Sequence, residues 1–130
     1  MDWKNVTSQN DIDEIMKKFY NFHDSCVIEF FCKTGMYVDE RKYMRQDEES
    51  EIKMILKSQL GGTIEIHFER IKQMNIHIYD KSKYFNNIDG AKMYMNNNLI
   101  FWADSMEWNE TNIDNEITYI ICEKIKYIIY

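Results

Sequence analysis

The chain has 130 residues, of which 45% are hydrophobic, and its formal net charge at pH 7 is −6. This length fits a single domain over residues 1–130 with enough apolar residues for a core, so disorder of the whole chain is excluded. The acidic balance argues against a nucleic-acid-binding surface, which needs a basic footprint, and favours solubility or a basic protein partner.

The three cysteines do not form a disulfide framework. Cys26 and Cys32 fall in one predicted strand, which at about 3.3 Å per residue separates them by about 20 Å. We therefore expect buried thiols in a reducing compartment. No apolar signal segment follows Met1, and the longest apolar stretch, 117–130, carries three charged residues and is too short to cross a bilayer. These features predict a soluble cytoplasmic protein without membrane contact.

The first predicted element is an amphipathic helix over about residues 9–20. Ser8 precedes it as a typical N-cap, and acidic residues fall in the first turn. Ile12, Ile15, Met16 and Phe19 then recur at helical spacing. The helix is expected to lie on a sheet through this apolar stripe.

The rest of the chain shows mainly the two-residue period of strands. In the first strand, the core face is expected to carry Cys26, Ile28, Phe30 and Cys32. Later strands are predicted at 36–45 (close to solvent), 52–57, 63–69, 75–79, 99–103 and 117–130, with an acidic loop at 46–51 and a short helix or irregular turn at 88–95. The last strand is apolar on both faces and is expected to lie centrally.

This order of elements predicts the fold class. It is α+β, with one N-terminal amphipathic helix packed on a mostly antiparallel sheet of about seven strands. The sheet is expected to curl, because seven twisted strands seldom stay flat.

A polar cluster, His23-Asp24-Ser25, lies where the helical pattern ends and the strand pattern begins. Adjacent residues do not form a catalytic relay, which needs side chains that converge in space. We favour a structural clasp, in which Asp24 or Ser25 caps the turn and His23 bonds to a nearby strand or loop. A binding role for His23, oriented by Asp24, is the alternative.

The helix end Phe22-His23-Asp24-Ser25, followed by a strand, resembles small bacterial domains of uncharacterised function. The later segment Ile64-Glu65-Ile66-His67-Phe68-Glu69-Arg70-Ile71 is similar to a second landmark of these domains. Some of them are associated with immunity-protein-like families, which neutralise bacterial toxins by binding them. The resemblance implies a partner-binding role and carries no catalytic residues.

A second constellation follows from a predicted hairpin around Arg70 to Met74. Pairing 63–69 with 75–79 places His67 opposite His77, with Glu65 and Glu69 on the same face. Two histidines and a carboxylate are ligands typical of zinc or iron. The simpler interpretation, which we favour, is a solvated strand face, and no cofactor is predicted.

The acidic connection 104–115 contains Glu107 and Glu110 but no glycine, so it does not match a calcium-binding EF-hand loop. Trp102 is expected in the core. Trp108 stands among polar residues and is predicted to be an exposed interface anchor.

The resulting prediction is a non-enzymatic cytoplasmic binding domain of the immunity type, with His23, Asp24, Trp108, Glu107 and Glu110 as candidate binding residues. Its partner is a basic, toxin-like protein that meets an acidic surface around Glu48, Glu49, Glu51, Glu107 and Glu110. A homodimer through the last strand is a further hypothesis.

Two alternatives stay open. One is a metal-dependent enzyme or metal-binding protein that uses the His67/His77 pair. The other is a small-ligand carrier with a pocket in the curled sheet, lined by Phe31, Tyr37, Tyr43 and Tyr79. A nucleotide enzyme is disfavoured, since no glycine-rich phosphate loop is present.

Overall fold

The computed structural model describes residues 2–77 and 87–130. These residues form one α-helix, a short 3-10 turn and ten strands, in an α+β arrangement dominated by a curled antiparallel sheet. The predicted fold class is confirmed at this level, although the described residues form more strands than the seven expected. The elements are β1 (Lys4–Asn5), α1 (Gln9–Lys18), the 3-10 turn (Tyr20–Phe22), β2 (His23–Lys33), β3 (Met36–Val38), β4 (Met44–Gln46), β5 (Glu51–Ser58), β6 (Gly62–Asn75), β7 (Ile88–Asp89), β8 (Lys92–Asn96), β9 (Leu99–Ala103) and β10 (Tyr119–Ile129).

Eight strands make one sheet in the order β7-β2-β5-β6-β10-β9-β8, with β1 alongside β10. Each pairing in it is antiparallel. β10 pairs with β6 along its length, and its other edge is taken by β9 and then by β1. The central position expected for the last strand is confirmed, and this strand offers little free edge for pairing with a second copy.

The helix starts where its capping residue indicates. The Ser8 hydroxyl accepts the Asp11 N–H while the Asp11 carboxylate accepts the Ser8 N–H, a reciprocal capping box. The side chains of Ile12, Ile15 and Met16 are buried against the sheet. α1 ends at Lys18, two residues earlier than predicted, because the chain enters the 3-10 turn at Tyr20. Within the described ranges, no helix has the length and apolar character needed to cross a bilayer.

The sheet is covered on two faces by different parts of the chain. The main core lies between α1 and the inner face and includes Phe19, Phe22, Phe68 and Trp102. A second, smaller cluster lies on the opposite face of β9 and β10. The connection that follows β9 folds over this cluster, which explains why β10 is apolar on both faces.

β2 departs from the predicted alternation. Its pairing with β5 shifts register between Val27 and Glu29, so Ile28 is an extra residue that bulges outward. Cys26 and Ile28 are exposed, whereas Phe30 and Cys32 pack against the core. The prediction of a shared core face for all four residues is therefore wrong, because a bulge reverses the facing of the residues that follow it.

β6 is a single long strand where a hairpin was predicted. It continues from Gly62 to Asn75, and its partners on either side are β5 and β10. Gln73 pairs with Ile121 but Ile71 pairs with Cys122, so Lys72 is an extra residue. This β-bulge interrupts the alternation of apolar and polar residues along β6, but the chain does not turn there. Part of the predicted strand 75–79 lies outside the described residues.

Two further predictions are corrected. The expected helix or turn at 88–95 contains the strands β7 and β8 instead. The single strand expected over 36–45 is a hairpin of β3 and β4, which turns near Asp39 to Lys42.

Candidate functional site

The β3–β4 hairpin is the most exposed apolar feature of the described chain. Its two strands pair with each other and with no other described strand. Five of its large side chains are each at least half exposed: Met36 (51%), Tyr37 (50%), Val38 (64%), Tyr43 (60%) and Met44 (79%). Large apolar side chains that are exposed together on one element often mark a contact surface.

The base of the hairpin is held by its own backbone. The Asp47 N–H donates to the Gly35 carbonyl at 2.9 Å. Gly35 has a φ of +81°, and a Cβ there would lie 2.9 Å from both the Asp47 carbonyl and carboxylate oxygens. Glycine is therefore required both for the left-handed conformation and for this close approach.

The tip of the hairpin is organised by Asp39. Its Oδ1 accepts the N–H groups of Arg41 and Tyr43, and its Oδ2 accepts the Arg45 Nε–H at 2.8 Å. The hydrogen bond from Arg45, helped by that from the Tyr43 backbone, lowers the pKa of the Asp39 carboxyl. The Arg45 guanidinium also lies 5.9 Å from the centre of the Tyr43 ring. Polar contacts therefore order this turn without help from a core.

The two faces of the hairpin differ. Val38 lies opposite Met44 and Met36 lies opposite Gln46, so these four side chains share one face, which is apolar except for Gln46. Tyr37 lies opposite Arg45 on the other face. The hairpin thus presents methionine and valine on one side, and tyrosine and arginine on the other.

A charged groove of about 320 Å³ lies next to the hairpin base. The predicted acidic residues Glu48, Glu49 and Glu51 line it. Four basic residues line the same groove, so its surface is of mixed sign: Lys33, Arg70, Lys124 and Lys126. The loop is anchored to β6 because Ser50 accepts two backbone N–H groups, from Arg70 and Ile71.

The remaining predicted acidic residues, Glu107 and Glu110, belong to a different connection, between β9 and β10. Both lie at or near the surface, and the Glu110 carboxylate accepts the Asn96 side-chain amide at 2.8 Å. The predicted acidic surface is therefore divided between two connections of the sheet.

Trp108 is in the protein interior, at 2% exposure, and the prediction of an exposed anchor is wrong. Its ring contacts Tyr119 and Phe101 at centroid distances of 5.3 and 6.1 Å. The polar neighbours in sequence face outward while Trp108 inserts into the second cluster. Trp102 is buried as expected.

The predicted histidine pair is not brought together. His67 lies within β6 and His77 lies beyond its end, ten residues further along an extended chain, or about 33 Å. The His77 N–H donates to the Thr118 hydroxyl. The residues opposite His67 are Lys126 on β10 and Lys53 on β5.

His67 instead forms a packed cluster with two glutamates. Its Nε2 is 2.7 Å from Glu65 Oε2, while its Nδ1 is 2.7 Å from Glu51 Oε1 without hydrogen-bond alignment. The Trp3 ring covers the imidazole at a centroid distance of 4.5 Å. Because the two carboxylates flank opposite ring nitrogens, they do not converge on one point, and no three-ligand metal cluster occurs in the described residues. The Glu69 carboxylate lies 3.6 Å from Lys126 Nζ.

His23 joins two strands. Its Nδ1 is 2.9 Å from Asp24 Oδ2 and its Nε2 is 3.1 Å from Asp89 Oδ1 on β7. These contacts form a clasp between β2 and β7. Ser25 is buried, and its hydroxyl has no hydrogen-bond partner within the described part of the chain.

Of the four residues proposed to line a carrier pocket, the three that the structure describes do not enclose one. Phe31, Tyr37 and Tyr43 are at least half exposed, and Tyr79 is outside the described residues. A depression of about 500 Å³ lies instead where β2 begins and β5 ends, and Asp24, Cys26 and Lys57 are among its lining residues.

The thiols differ in environment. Cys26 is exposed, contrary to the expectation of burial, while Cys122 is buried, which raises the pKa of its thiol to about 12. Partial burial also raises the pKa of Cys32.

The exposed hairpin is the feature that sequence reasoning missed. Its signal was present, because Met36, Tyr37 and Val38 are consecutive apolar residues that one half-buried strand face does not accommodate. No protein-family model, curated protein or solved structure matches this chain.

Proposed function

We propose that this chain is a protein-binding domain and that the β3–β4 hairpin is its principal contact element. The observation that carries the proposal is the set of five large side chains, each at least half exposed, on a hairpin that lies outside the main sheet. An isolated two-stranded hairpin is only marginally stable in water, and covering its apolar face with a partner would stabilise it. Methionine and tyrosine are also among the residues enriched at protein interfaces.

The partner we propose is a basic, toxin-like protein. Asp47, Glu48 and Glu49 follow the hairpin directly, and the whole chain has a net charge of −6. A basic partner would meet favourable charge beside the apolar contact, which accelerates association and favours correct partners. The resemblance of the helix-end motif to immunity-type domains supports the same class of partner. We place this binding in the cytoplasm, since an exposed free thiol at Cys26 fits a reducing compartment.

The test starts with affinity capture from a bacterial lysate and identification of the captured protein by mass spectrometry. The identified protein is then purified, and its binding to the chain is measured by isothermal titration calorimetry. Val38→Ser and Met44→Ser remove exposed apolar side chains, and each should weaken binding by about tenfold if they act as interface hot spots. Leu60→Ser is the matched control, because Leu60 is equally exposed, at 54%, but lies in the β5–β6 turn. Equal affinities for all three variants would contradict the role of the hairpin.

Charge is tested separately from apolar contact. Glu48→Lys and Glu49→Lys should weaken binding to a basic partner and reduce its dependence on salt concentration. Glu14→Lys, on the exposed side of α1, is the control with the same charge change. An affinity that does not vary between 50 and 300 mM salt, roughly a 2.4-fold change in Debye length, would rule out a basic partner.

A further inference from the structure

We infer that the sulfur atoms of Cys32 and Met74 form a binding site for Cu(I), with one coordination position left open. The Sγ of Cys32 lies 4.0 Å from the Sδ of Met74, although the two residues are 42 positions apart in the sequence. This inference goes beyond the proposed function, because it concerns metal binding and requires no protein partner. It also uses different residues from the cluster around His67.

The strand pairings place both sulfur atoms on the same face of the sheet. Cys32 lies opposite Ile52 near the end of β2, and Met74 lies opposite Ile120 near the end of β6. Ile52 and Ile120 are fully buried and belong to the main core. Because directly opposite residues face the same side of a sheet, Cys32 and Met74 both lie on the inner face. They meet there although β5 separates their strands in the sheet order.

The pair lies at the margin of the core. Cys32 is partly buried and packs against the main core, whereas the Met74 side chain is 39% exposed. An ion can therefore reach the sulfur atoms from solvent, while apolar side chains lie behind the thiol. This burial raises the pKa of the Cys32 thiol, so the free chain holds it protonated. A coordinated thiol loses its proton, and binding therefore releases that proton to solvent.

The separation of the two sulfur atoms suits a bound metal ion. Metal–thiolate bonds in proteins are about 2.3 Å long, and two bonds of that length to atoms 4.0 Å apart enclose an angle of about 120°. This is the angle of a three-coordinate trigonal site. Two positions are then filled by the protein, and the third is open to a ligand from solution.

The chemistry of the two ligands selects the ion. Thiolate and thioether sulfur are soft ligands that favour Cu(I), whereas carboxylate and carbonyl oxygens suit magnesium, calcium and manganese. One thiolate also neutralises one Cu(I), so the bound pair carries no net charge beside the core. A divalent ion would leave one positive charge in this partly buried place, which is costly. Structural zinc sites need four ligands, and no group of three histidine, cysteine or acidic ligands occurs in the described ranges.

A competition titration tests whether Met74 contributes to metal affinity. Cu(I) is supplied without oxygen as its bathocuproine disulfonate complex, in a Cys26→Ser background that lacks the exposed thiol. We expect one Cu(I) per chain. Met74→Leu removes the sulfur but keeps an apolar side chain of similar size. It should weaken binding by at least about tenfold, because changing groups that only orient a metal ligand already costs about 10- to 100-fold.

Met106→Leu is the matched control. Met106 is 50% exposed and lies in the connection after β9, so this variant should bind Cu(I) as tightly as the parent. Equal affinities of Met74→Leu and Met106→Leu would leave only a weak S–H···S hydrogen bond between Cys32 and Met74, and would overturn the inference. Cu(I) binding that persists in Cys32→Ser, or no transfer of Cu(I) from the chelator to the parent, would overturn it as well.

X-ray absorption at the copper edge gives a second test that does not depend on how a substituted chain folds. In the Cu(I)-loaded Cys26→Ser protein we expect at least two sulfur neighbours at about 2.3 Å. A coordination shell of nitrogen and oxygen alone would contradict the site. Zn²⁺ in excess should not displace the Cu(I), and displacement would contradict the selection of a soft monovalent ion. The hairpin variants described above test the protein partner separately, so either proposal can fail while the other stands.

Discussion

Replacing Tyr20 tests whether the chain stores backbone strain between helix and sheet. Tyr20, Asn21 and Phe22 have φ values of +54°, +56° and +58°, and Asp24 has +58°. Asparagine and aspartate tolerate this left-handed region, but an aromatic residue there is unusual. The Tyr20 side chain is 58% exposed, whereas the Phe22 ring is buried and stacks on Phe19 at a centroid distance of 5.4 Å. We infer that burial of Phe22 forces the turn and that Tyr20 bears part of its cost.

The energetic cost of the left-handed backbone at position 20 is obtained by comparing a glycine variant with an alanine variant. Both Tyr20→Gly and Tyr20→Ala remove the ring, so lost side-chain contacts cancel. A left-handed residue with a Cβ costs about 1–2 kcal/mol. The greater chain entropy of unfolded glycine offsets about 0.5–1 kcal/mol of this. Tyr20→Gly should therefore be more stable than Tyr20→Ala by about 0.5–1 kcal/mol.

Leu60 provides the matched control. It is 54% exposed and is not among the described residues with positive φ. There, Leu60→Gly should be less stable than Leu60→Ala by about 0.5–1 kcal/mol. The difference between glycine and alanine thus reverses sign between the two positions.

Urea denaturation followed by tryptophan fluorescence measures these differences. Comparison of transition midpoints at a shared slope avoids the extrapolation error of about 10–15%. If glycine is the less stable residue at both positions, position 20 carries no strain and the explanation of the turn is incorrect.

Four further predictions concern other parts of the fold. Iodoacetamide at pH 8 should alkylate exposed Cys26 in the native protein and spare Cys122, and alkylation of Cys122 before unfolding would contradict its burial. Because the folded thiol of Cys122 keeps its proton up to a pKa of about 12, against 9.0 for the free thiol, the free energy of unfolding should fall as pH rises above 9. It should fall more steeply than in Cys122→Ala, which retains Tyr94 and Tyr127 with their raised pKa values, and equal slopes would contradict the contribution of the Cys122 thiol. Trp108→Ala should lower the free energy of unfolding, measured by urea denaturation, by about 3–5 kcal/mol. A decrease under about 1 kcal/mol would contradict the burial of Trp108. Gly35→Ala should accelerate amide hydrogen exchange in residues 36–46 without changing exchange in β10, and unchanged exchange in the hairpin would contradict the close Gly35–Asp47 contact.

Local signals predicted the elements that depend on neighbouring residues. The Ser8 cap and the apolar spacing of Ile12, Ile15 and Met16 specify α1, since capping and helical periodicity are short-range properties. The strand at Leu99–Ala103 was predicted with the bounds observed. The apolar character of 117–130 indicated a central strand, and β10 lies between neighbours on both edges.

Register and bulges were not predictable in the same way. The bulges at Ile28 and Lys72 arise from how β2 pairs with β5 and how β6 pairs with β10. The sequence of one strand does not specify the register in which its partner pairs with it. One extra residue reverses the facing of all the residues that follow it in the strand. The His67/His77 pairing does not form for a related reason, because β6 continues straight through the segment from Arg70 to Met74, where a hairpin turn was predicted.

The burial of Trp108 could have been predicted from the sequence of the last strand. Because β10 is apolar on both faces, the outer face needs a cover, and the preceding connection supplies Trp108, Ile113 and Ile117. Polar neighbours in sequence pointed to the surface, whereas the need to cover β10 pointed to the interior. The second argument was the stronger one, since an uncovered apolar strand face is costly over several residues.

The hydrogen bond from the Met36 N–H to the Thr34 hydroxyl has a consequence for strand addition at the β3 edge of the hairpin. A hairpin with two open edges accepts strands on both sides, and repeated addition produces fibres. With the Met36 N–H already bonded to Thr34, a strand added at the β3 edge would gain one backbone hydrogen bond fewer. The threonine side chain thus makes this edge of the exposed apolar hairpin a poorer template for strand addition.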